Sequence, residues 1–291
     1  MTNSTIFIVI PVYNRRDDTL KCLECLRRQT YKAWKVIVVD DGSNDGLAPA
    51  VRSNFPEAVL LEGDGNLWWS GATNLGVEWA QRQAGPQDYV LTLNNDLTVR
   101  PDYLDQLMSA SKQLGRKALI GSVSVSSSNH SQILYQGNRR NWWLGTTRPA
   151  VQKVQGGLVF FETDGLPGRG TLIPIEAFAS VGNFDAKNFP QYFADVDFSL
   201  RCRQKGYRLI VARDAVVISD AEKTGLGSKF TYDRMTWRDA VRSLWSIRSA
   251  KHLGKRWRFA LRHCPPLKLP VHLFADTVIV TTSFFRKKYI R

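Results

Sequence analysis

Short apolar, β-rich runs recur through the first hundred residues, and each is followed by a segment of helical spacing. The runs are Ile6 to Val12, Trp34 to Val39, Ala58 to Glu62 and Val90 to Leu93. Between them, apolar residues fall three apart at Leu20, Leu23 and Leu26, and helical segments are expected again at Ala48 to Phe55 and Ala72 to Arg82. This β-α-β-α-β-α-β order predicts an α/β fold with a Rossmann-like, mainly parallel sheet and helices on both faces, because parallel neighbours need a crossover that packs back onto the sheet. Later segments extend the pattern. A helix is expected at Tyr103 to Leu114, a strand at Ala118 to Val125, and strands and loops over Ile133 to Val159. Then come a strand at Thr171 to Pro174, helices at Ile175 to Val181 and Phe198 to Lys205, and strands at Tyr207 to Ala212 and Ala215 to Ile218.

The fourth run ends abruptly in VLTLNNDLTVR, where three polar residues, Asn94, Asn95 and Asp96, interrupt an apolar stretch. Ligands of open α/β sheets gather at strand carboxyl ends, and a lone carboxylate beside two amides suits a hard cation carried by a phosphate. The second run likewise opens into DDGSNDG, Asp40 to Gly46. Taken alone, that turn reads first as an acidic turn capping a helix.

At 291 residues and 43% apolar content the chain can bury a full core. We expect one catalytic domain over residues 1–229 and a basic, aromatic-containing helical region over 230–291. Net charge is +14, and the stretch from Phe230 to Arg291 carries fourteen Lys and Arg against three Asp. Trp237, Trp245, Trp257 and Phe259 are interleaved with that charge, the pattern of a helix lying on an anionic membrane surface. Nucleic-acid binding through the same rings and charges, or a plain hairpin packed on the catalytic domain, are the other readings. No recognition motif for nucleic acid is present, so no nucleic-acid partner is expected. The best late apolar segment, Leu269 to Phe285, is interrupted by His272 and Asp276 and does not read as a spanning helix. Four cysteines are too few for a disulfide framework, and Cys22 and Cys25 read as helix-packing residues. The expected location is cytoplasmic, peripheral at the inner face of the cell membrane.

IVIPVYNR, VIVVDDGSNDG, GATNLG, LTLNNDLTV, GRGTLIPIEAF…VGNFD and ADVDFSLRCRQKGYRL, in that order, resemble the blocks of family 2 glycosyltransferases. The resemblance covers about Ile6 to Ser219 and is nearest to bacterial rhamnosyltransferase-like, surface-polysaccharide members. It implies the GT-A fold and transfer, with inversion, of a hexose or deoxyhexose from a UDP- or dTDP-sugar to a lipid-linked or other glycan acceptor.

The resemblance also implies roles. Pro11, Val12 and Tyr13 would flank the base, and Asp41 would accept the ring N–H of uracil or thymine. The triplet falls where the family carries its D-x-D motif, so Asp96 is assigned to a divalent cation, Mg²⁺ or Mn²⁺, and Asn94 and Asn95 to sugar or ribose hydroxyls. Gly71 and Asn74 match a donor-sugar or diphosphate loop, beside Trp68 and Trp69, which would stack on a sugar or pack at the rim. Arg169 would meet phosphate or an acceptor anion, and Gly170 would let backbone approach a ligand. Ala194 replaces a usual Glu, which leaves Asp195 as the base that deprotonates the acceptor hydroxyl. Asp197 is the runner-up, as a cap or acceptor-side contact. Where a late His often completes the metal shell, this chain has Ser219 and Asp220, and Asp220 is the better oxygen ligand. His130, His252, His263 and His272 do not fit that position.

Two other readings stand beside this one. Sugar nucleotidyl transfer would use a similar sheet and Mg²⁺, but wants a glycine- and lysine-rich phosphate loop that PVYNRRDD does not supply. A non-enzymatic membrane or nucleic-acid adaptor would rest on the tail alone.

Overall fold

Strand β1 (Ile6–Val12) sends Ile6, Ile8 and Ile10 to one face and Phe7 and Val9 to the other, and both sets are buried. A strand apolar on both faces needs cover on both, and the helices divide accordingly. The computed structural model describes residues 4–219 and 236–289. Helices α1 (Arg16–Arg27), α2 (Leu47–Asn54) and α4 (Tyr103–Leu114) close the first face through Leu23, Leu26, Val51, Leu104 and Leu107. Helices α3 (Trp68–Gln83), α5 (Ile175–Val181) and α6 (Ala194–Gln204) close the second through Val77, Ala80, Phe178 and Phe198. Gly76 lets α3 sit close on the sheet, since a Cβ there would lie 2.5 Å from Val9 Cγ1.

The sheet is parallel where the early alternation predicts it. Strand β1 lies between β2 (Trp34–Asp40) and β4 (Tyr89–Thr92), with β3 (Val59–Glu62) beyond β2, all parallel. Past β4 the sheet is mixed. After the short β5 (Leu97–Val99), strand β6 (Ala118–Ser126) runs parallel to β13 (Arg208–Ser219), while β12 (Thr171–Pro174) is antiparallel between β4 and β6. Residues 133–162 form β7 (Ile133–Tyr135), β8 (Asn138–Asn141), β9 (Thr146–Pro149), β10 (Gln152–Gln155) and β11 (Leu158–Glu162). The two late strands expected from sequence are one strand, β13, with a register shift between Ala212 and Val216. A bulge of this kind bends a strand without ending its pairing.

The carboxyl ends of β1, β2 and β4 converge, and the turns there are tied together. Asn14 N–H donates to Ser43 Oγ at 2.8 Å, and Asn14 Oδ1 accepts from Asn44 N–H at 2.8 Å. Two helices begin earlier than their sequences indicate. Helix α3 starts at Trp68 rather than Ala72, and α6 at Ala194 rather than Phe198, entered through Phe193 at φ +75°.

The boundary expected at residues 229 and 230 lies outside the described residues, but the C-terminal helices are no detached appendage. After α7 (Trp237–Ser243), helix α8 (Leu253–His263) inserts Phe259 into the second core against Trp142, Phe189 and Phe193. Helix α9 (Leu269–Tyr289) then turns its polar interruptions inward. Asp276 pairs with Arg256, and His272 Nδ1 donates to the Trp142 carbonyl at 3.0 Å. Among the described residues, no helix is long and apolar enough to cross a membrane. Cys22 and Cys202 are buried free thiols in α1 and α6.

Candidate active site

A cleft of about 670 Å³ opens over the converging strand ends, lined by Pro11, Val12, Tyr13 and Asp41 on one side and by Asn94, Asn95 and Asp96 along its floor. Arg169 and Asp195 face it from the other half of the sheet. Tyr13 is 55% exposed at the rim, open to stack on a planar group.

Among the described residues three carboxylates line the cleft, and each has a different environment. Asp41 is turned onto the chain itself. Its Oδ1 accepts from the Gly65 and Leu67 N–H groups at 2.9 and 3.2 Å, and its Oδ2 from Trp68 N–H at 3.0 Å. This carboxylate therefore caps α3 from another strand, satisfying donors that a helix start leaves open. A lone pair on Oδ2 remains for a ligand N–H.

Asp96 pairs with Arg15, Nη1 to Oδ2 at 3.1 Å. Burial raises its carboxyl above the ordinary aspartate range, while Arg15, its own backbone and Arg169 pull the other way. The neighbouring amides are partly committed. Trp69 Nε1 donates to Asn94 Oδ1 at 3.2 Å, and Asn95 Nδ2 donates to Thr19 Oγ1 at 3.0 Å.

Asp195 makes no ion pair among the described residues. Its Oδ2 accepts from Gly168 N–H at 2.9 Å and its Oδ1 from Val196 N–H at 2.8 Å. Burial raises its carboxyl above the ordinary range, against the Gly168 and Val196 N–H groups and the Arg169 guanidinium. A carboxylate so held, at a cleft wall and with its pKa raised by burial, suits proton abstraction.

Four residues expected at the site face elsewhere. Asn74 spends its amide on Phe184, donating to its carbonyl at 2.8 Å and accepting from its N–H at 3.0 Å. Gly71 lies within α3 against Leu67. Gly170, at φ +79°, fits beneath Tyr103 and Ser122, and its carbonyl accepts from Ser122 Oγ at 2.7 Å. Asp197 is wholly buried and accepts from Arg201 Nε at 2.9 Å and from Arg262 Nη1 and His263 Nε2 at 2.8 Å each. Burial alone would raise its carboxyl, but His263, Arg262 and Arg201 outweigh that and hold it below the ordinary range. Asp220 lies outside the described residues. Ser219, its neighbour, is buried and lines the cleft.

The sequence did not single out Arg15, Gln191 or Arg248, all of which line the cleft. Arg15 lies inside the IVIPVYNR block, a positional signal that was available. Arg248, whose guanidinium lies 5.6 Å from the Trp68 ring centroid, comes from the C-terminal region and had no local signal. Trp69 is a wall rather than a free platform, because its ring packs against Gly168, where a Cβ would lie 2.1 Å from Cζ2.

For a divalent cation the donor set is lean. Among the described residues no group of three or more His, Cys, Asp or Glu could hold an ion. One cleft-facing carboxylate nevertheless fits an ion of the Mg²⁺ kind, which commonly binds through one or two carboxylates plus substrate phosphates.

The family model described as Glycosyl transferase family 2 matches residues 7–169, more than half the chain, and includes the cleft residues Pro11 to Tyr13, Asp41 and Asn94 to Asp96. The chain belongs to glycosyl transferase family 2. A second model, Glycosyl transferase family group 2, matches residues 89–285 and so reaches into the C-terminal helices. Family membership supports glycosyltransferase activity over nucleotidyl transfer and over an adaptor without activity. Among relatives, an N-acetylglucosaminyl-diphospho-decaprenol L-rhamnosyltransferase of Mycobacterium tuberculosis is 25% identical over 241 residues, covering 75% of this chain and 77% of that one. The uncharacterized glycosyltransferase YibD of Escherichia coli is 35% identical over 114 residues, 38% of this chain and only 31% of that one. Two solved structures share the GT-A fold. GalNAc-T7 with UDP, GalNAc and Mn²⁺ gives a TM-score of 0.62 at 12% identity, covering 97% of this chain and 58% of that one. Mannosyltransferase PcManGT of Pyrobaculum calidifontis, with GDP-Man and Mn²⁺, gives 0.60 at 19% identity, covering 98% and 73%.

Proposed function

We propose that this family member moves a sugar, with inversion, from a UDP- or dTDP-sugar to a hydroxyl of a lipid-linked glycan during cell-surface polysaccharide synthesis. The observation that carries the reading is the division of labour among the cleft carboxylates. Among the described residues, Asp41 is committed to backbone N–H groups, Asp96 pairs with Arg15 and is the carboxylate this reading gives to a cation, and Asp195, without an ion pair, is left for the base. A single displacement needs one base and no enzyme nucleophile.

In this reading Tyr13 stacks on the base, Asp41 accepts its ring N–H, and Asn94 and Asn95 meet sugar or ribose hydroxyls with the capacity left to them. Arg169 and Arg248 face the diphosphate or an anionic acceptor group. Asp195 takes the proton as the acceptor oxygen attacks the anomeric carbon and the bond to the diphosphate oxygen breaks. A divalent cation held by Asp96 and the donor phosphates, with Asp220 as a further ligand, would neutralise charge on the departing diphosphate.

Two observations favour a lipid-linked acceptor at an anionic membrane. The Mycobacterium tuberculosis relative is named for a diphospho-decaprenol acceptor. In addition, α9 exposes Val271, Phe274 and Val278, α8 exposes Trp257 and Leu261, and Leu267 is exposed in the turn between them. Phe274 is 73% exposed and Leu267 is 90% exposed. This apolar face, in a region rich in Lys and Arg, matches an interfacial helix.

Thermal shift against a panel of nucleotide sugars with Mn²⁺ or Mg²⁺ tests the donor. One UDP- or dTDP-sugar should raise the melting temperature selectively, by mass action; stabilisation by none of them contradicts the reading. For the membrane, the double variant Phe274→Ser/Val278→Ser should lose flotation with vesicles containing phosphatidylglycerol while keeping nucleotide binding. Unchanged flotation would remove α9 from the membrane contact.

A further inference from the structure

Helix α1 touches the NND triplet one residue at a time. Cys22 Sγ approaches the Asn94 carbonyl at 3.8 Å, Thr19 Oγ1 accepts from Asn95 at 3.0 Å, and Arg15, just before the helix, pairs with Asp96 at 3.1 Å. Thr19 also donates its hydroxyl to the Arg15 carbonyl at 2.7 Å, which fixes the backbone from which the arginine extends. The Asn95–Thr19 contact is buried, and Cys22 itself is buried. The Arg15 side chain differs, being 34% exposed against 8% for Asp96.

The guanidinium occupies Oδ2 of the one described carboxylate suited to a cation. Two positive groups cannot share that oxygen at close range without strong repulsion. Arginine also presents a planar fork of N–H donors that matches phosphate, so a diphosphate entering the cleft offers it an alternative anion. Resting on the donor reading above, we propose that Arg15 is an exchangeable counter-ion: it neutralises Asp96 in the donor-free cleft and moves to the donor diphosphate when nucleotide and cation enter together. Cation and nucleotide then bind with positive coupling, and Arg15 is a donor-positioning residue.

The two halves of the exchange make opposite demands on one substitution. Arg15→Met keeps the aliphatic stem and removes the charge. It should tighten binding of Mn²⁺ alone, because the competing cation is gone, and weaken binding of UDP or dTDP in the presence of Mn²⁺. Each change should fall in the range of about 5–150-fold that is typical of coupled sites. Arg15→Lys, which keeps the charge but not the fork, should hold Mn²⁺ alone near the wild-type level and recover only part of the nucleotide affinity.

The measurement is a titration of free Mn²⁺ by electron paramagnetic resonance on the full chain and both variants, with and without UDP or dTDP, and with urea midpoints checked for folding. Opposite shifts in Arg15→Met support the exchange. Loss of both affinities makes Arg15 a structural support of the triplet, and no change in either makes it a bystander; each overturns the proposal. A wild-type chain that binds neither UDP nor dTDP at any Mn²⁺ concentration overturns the donor reading instead.

Discussion

Replacing Asp195 by Asn is expected to lower kcat by about 10²–10⁴-fold, the usual contribution of a positioned general base, with nucleotide affinity largely retained. The amide keeps the shape, and its oxygen can still accept from Gly168 N–H, so the loop between β11 and β12 stays in place, while the NH2 gives up the acceptor that Val196 N–H now uses. The charge that takes the acceptor proton is lost. The wild-type rate should also fall on the acid side at a pH above the ordinary aspartate range, because burial raises this carboxyl and protonation removes the base. Steady-state kinetics against pH, paired with nucleotide titration, checks both points. A rate and profile unchanged in Asp195→Asn would move the base elsewhere.

The largest expected effect on stability belongs to Asp197, two residues further along α6. Asp197→Ala takes the shared acceptor from Arg201, Arg262 and His263 and leaves a buried vacancy, although Arg262 keeps Asp185 and Arg201 keeps the Val181 and Asn183 carbonyls. Removing one partner of a buried ionic group costs about 3–5 kcal/mol when the remaining charge is left uncompensated, and these remaining partners place the loss at the lower end of that range. Urea unfolding should show it as a lower midpoint. The pH dependence has a definite sign. The native carboxyl is held below its ordinary range, so its stabilisation is present above the unfolded aspartate pKa and fades as pH falls through the lower native value. Asp197→Asn should therefore flatten the acid limb of the stability curve.

This network also bears on how the C-terminal region is treated. Arg262 and His263 belong to α8 and Phe259 of the same helix fills the second core, so truncation near residue 230 would unfasten α6 and expose core. Point substitutions on the outer face of α9 separate membrane contact from folding where deletion would confuse them.

Much of the fold was legible because its elements are locally consistent. Helix α4, strand β12 and helix α5 fall on the residues their spacing predicts, since periodicity and flanking turns agree there. The early start of α3 was hidden because its cap, Asp41, lies 27 residues before Trp68. The start of α6 was hidden because Phe193 takes a left-handed conformation that bulky residues seldom adopt. At the site, strand-end position pointed to the NND triplet, and the order of the motif blocks pointed to Asp41 and Asp195; all of these residues line the same cleft, although Asp41 also has a structural use as the cap of α3. Motif position alone misplaced Asn74, whose amide serves backbone 110 residues away. It also could not reveal Arg248, which reaches the cleft only through tertiary packing.

The central claim is a single displacement driven by Asp195, and the anomeric configuration of the product tests it most directly. With the donor selected by thermal shift and a polyprenyl-diphosphate glycan as acceptor, NMR of the new linkage should show configuration opposite to that of the donor, formed by the wild type and all but absent with Asp195→Asn. A product that retains the donor configuration, or forms at the wild-type rate without the Asp195 carboxylate, would contradict the account.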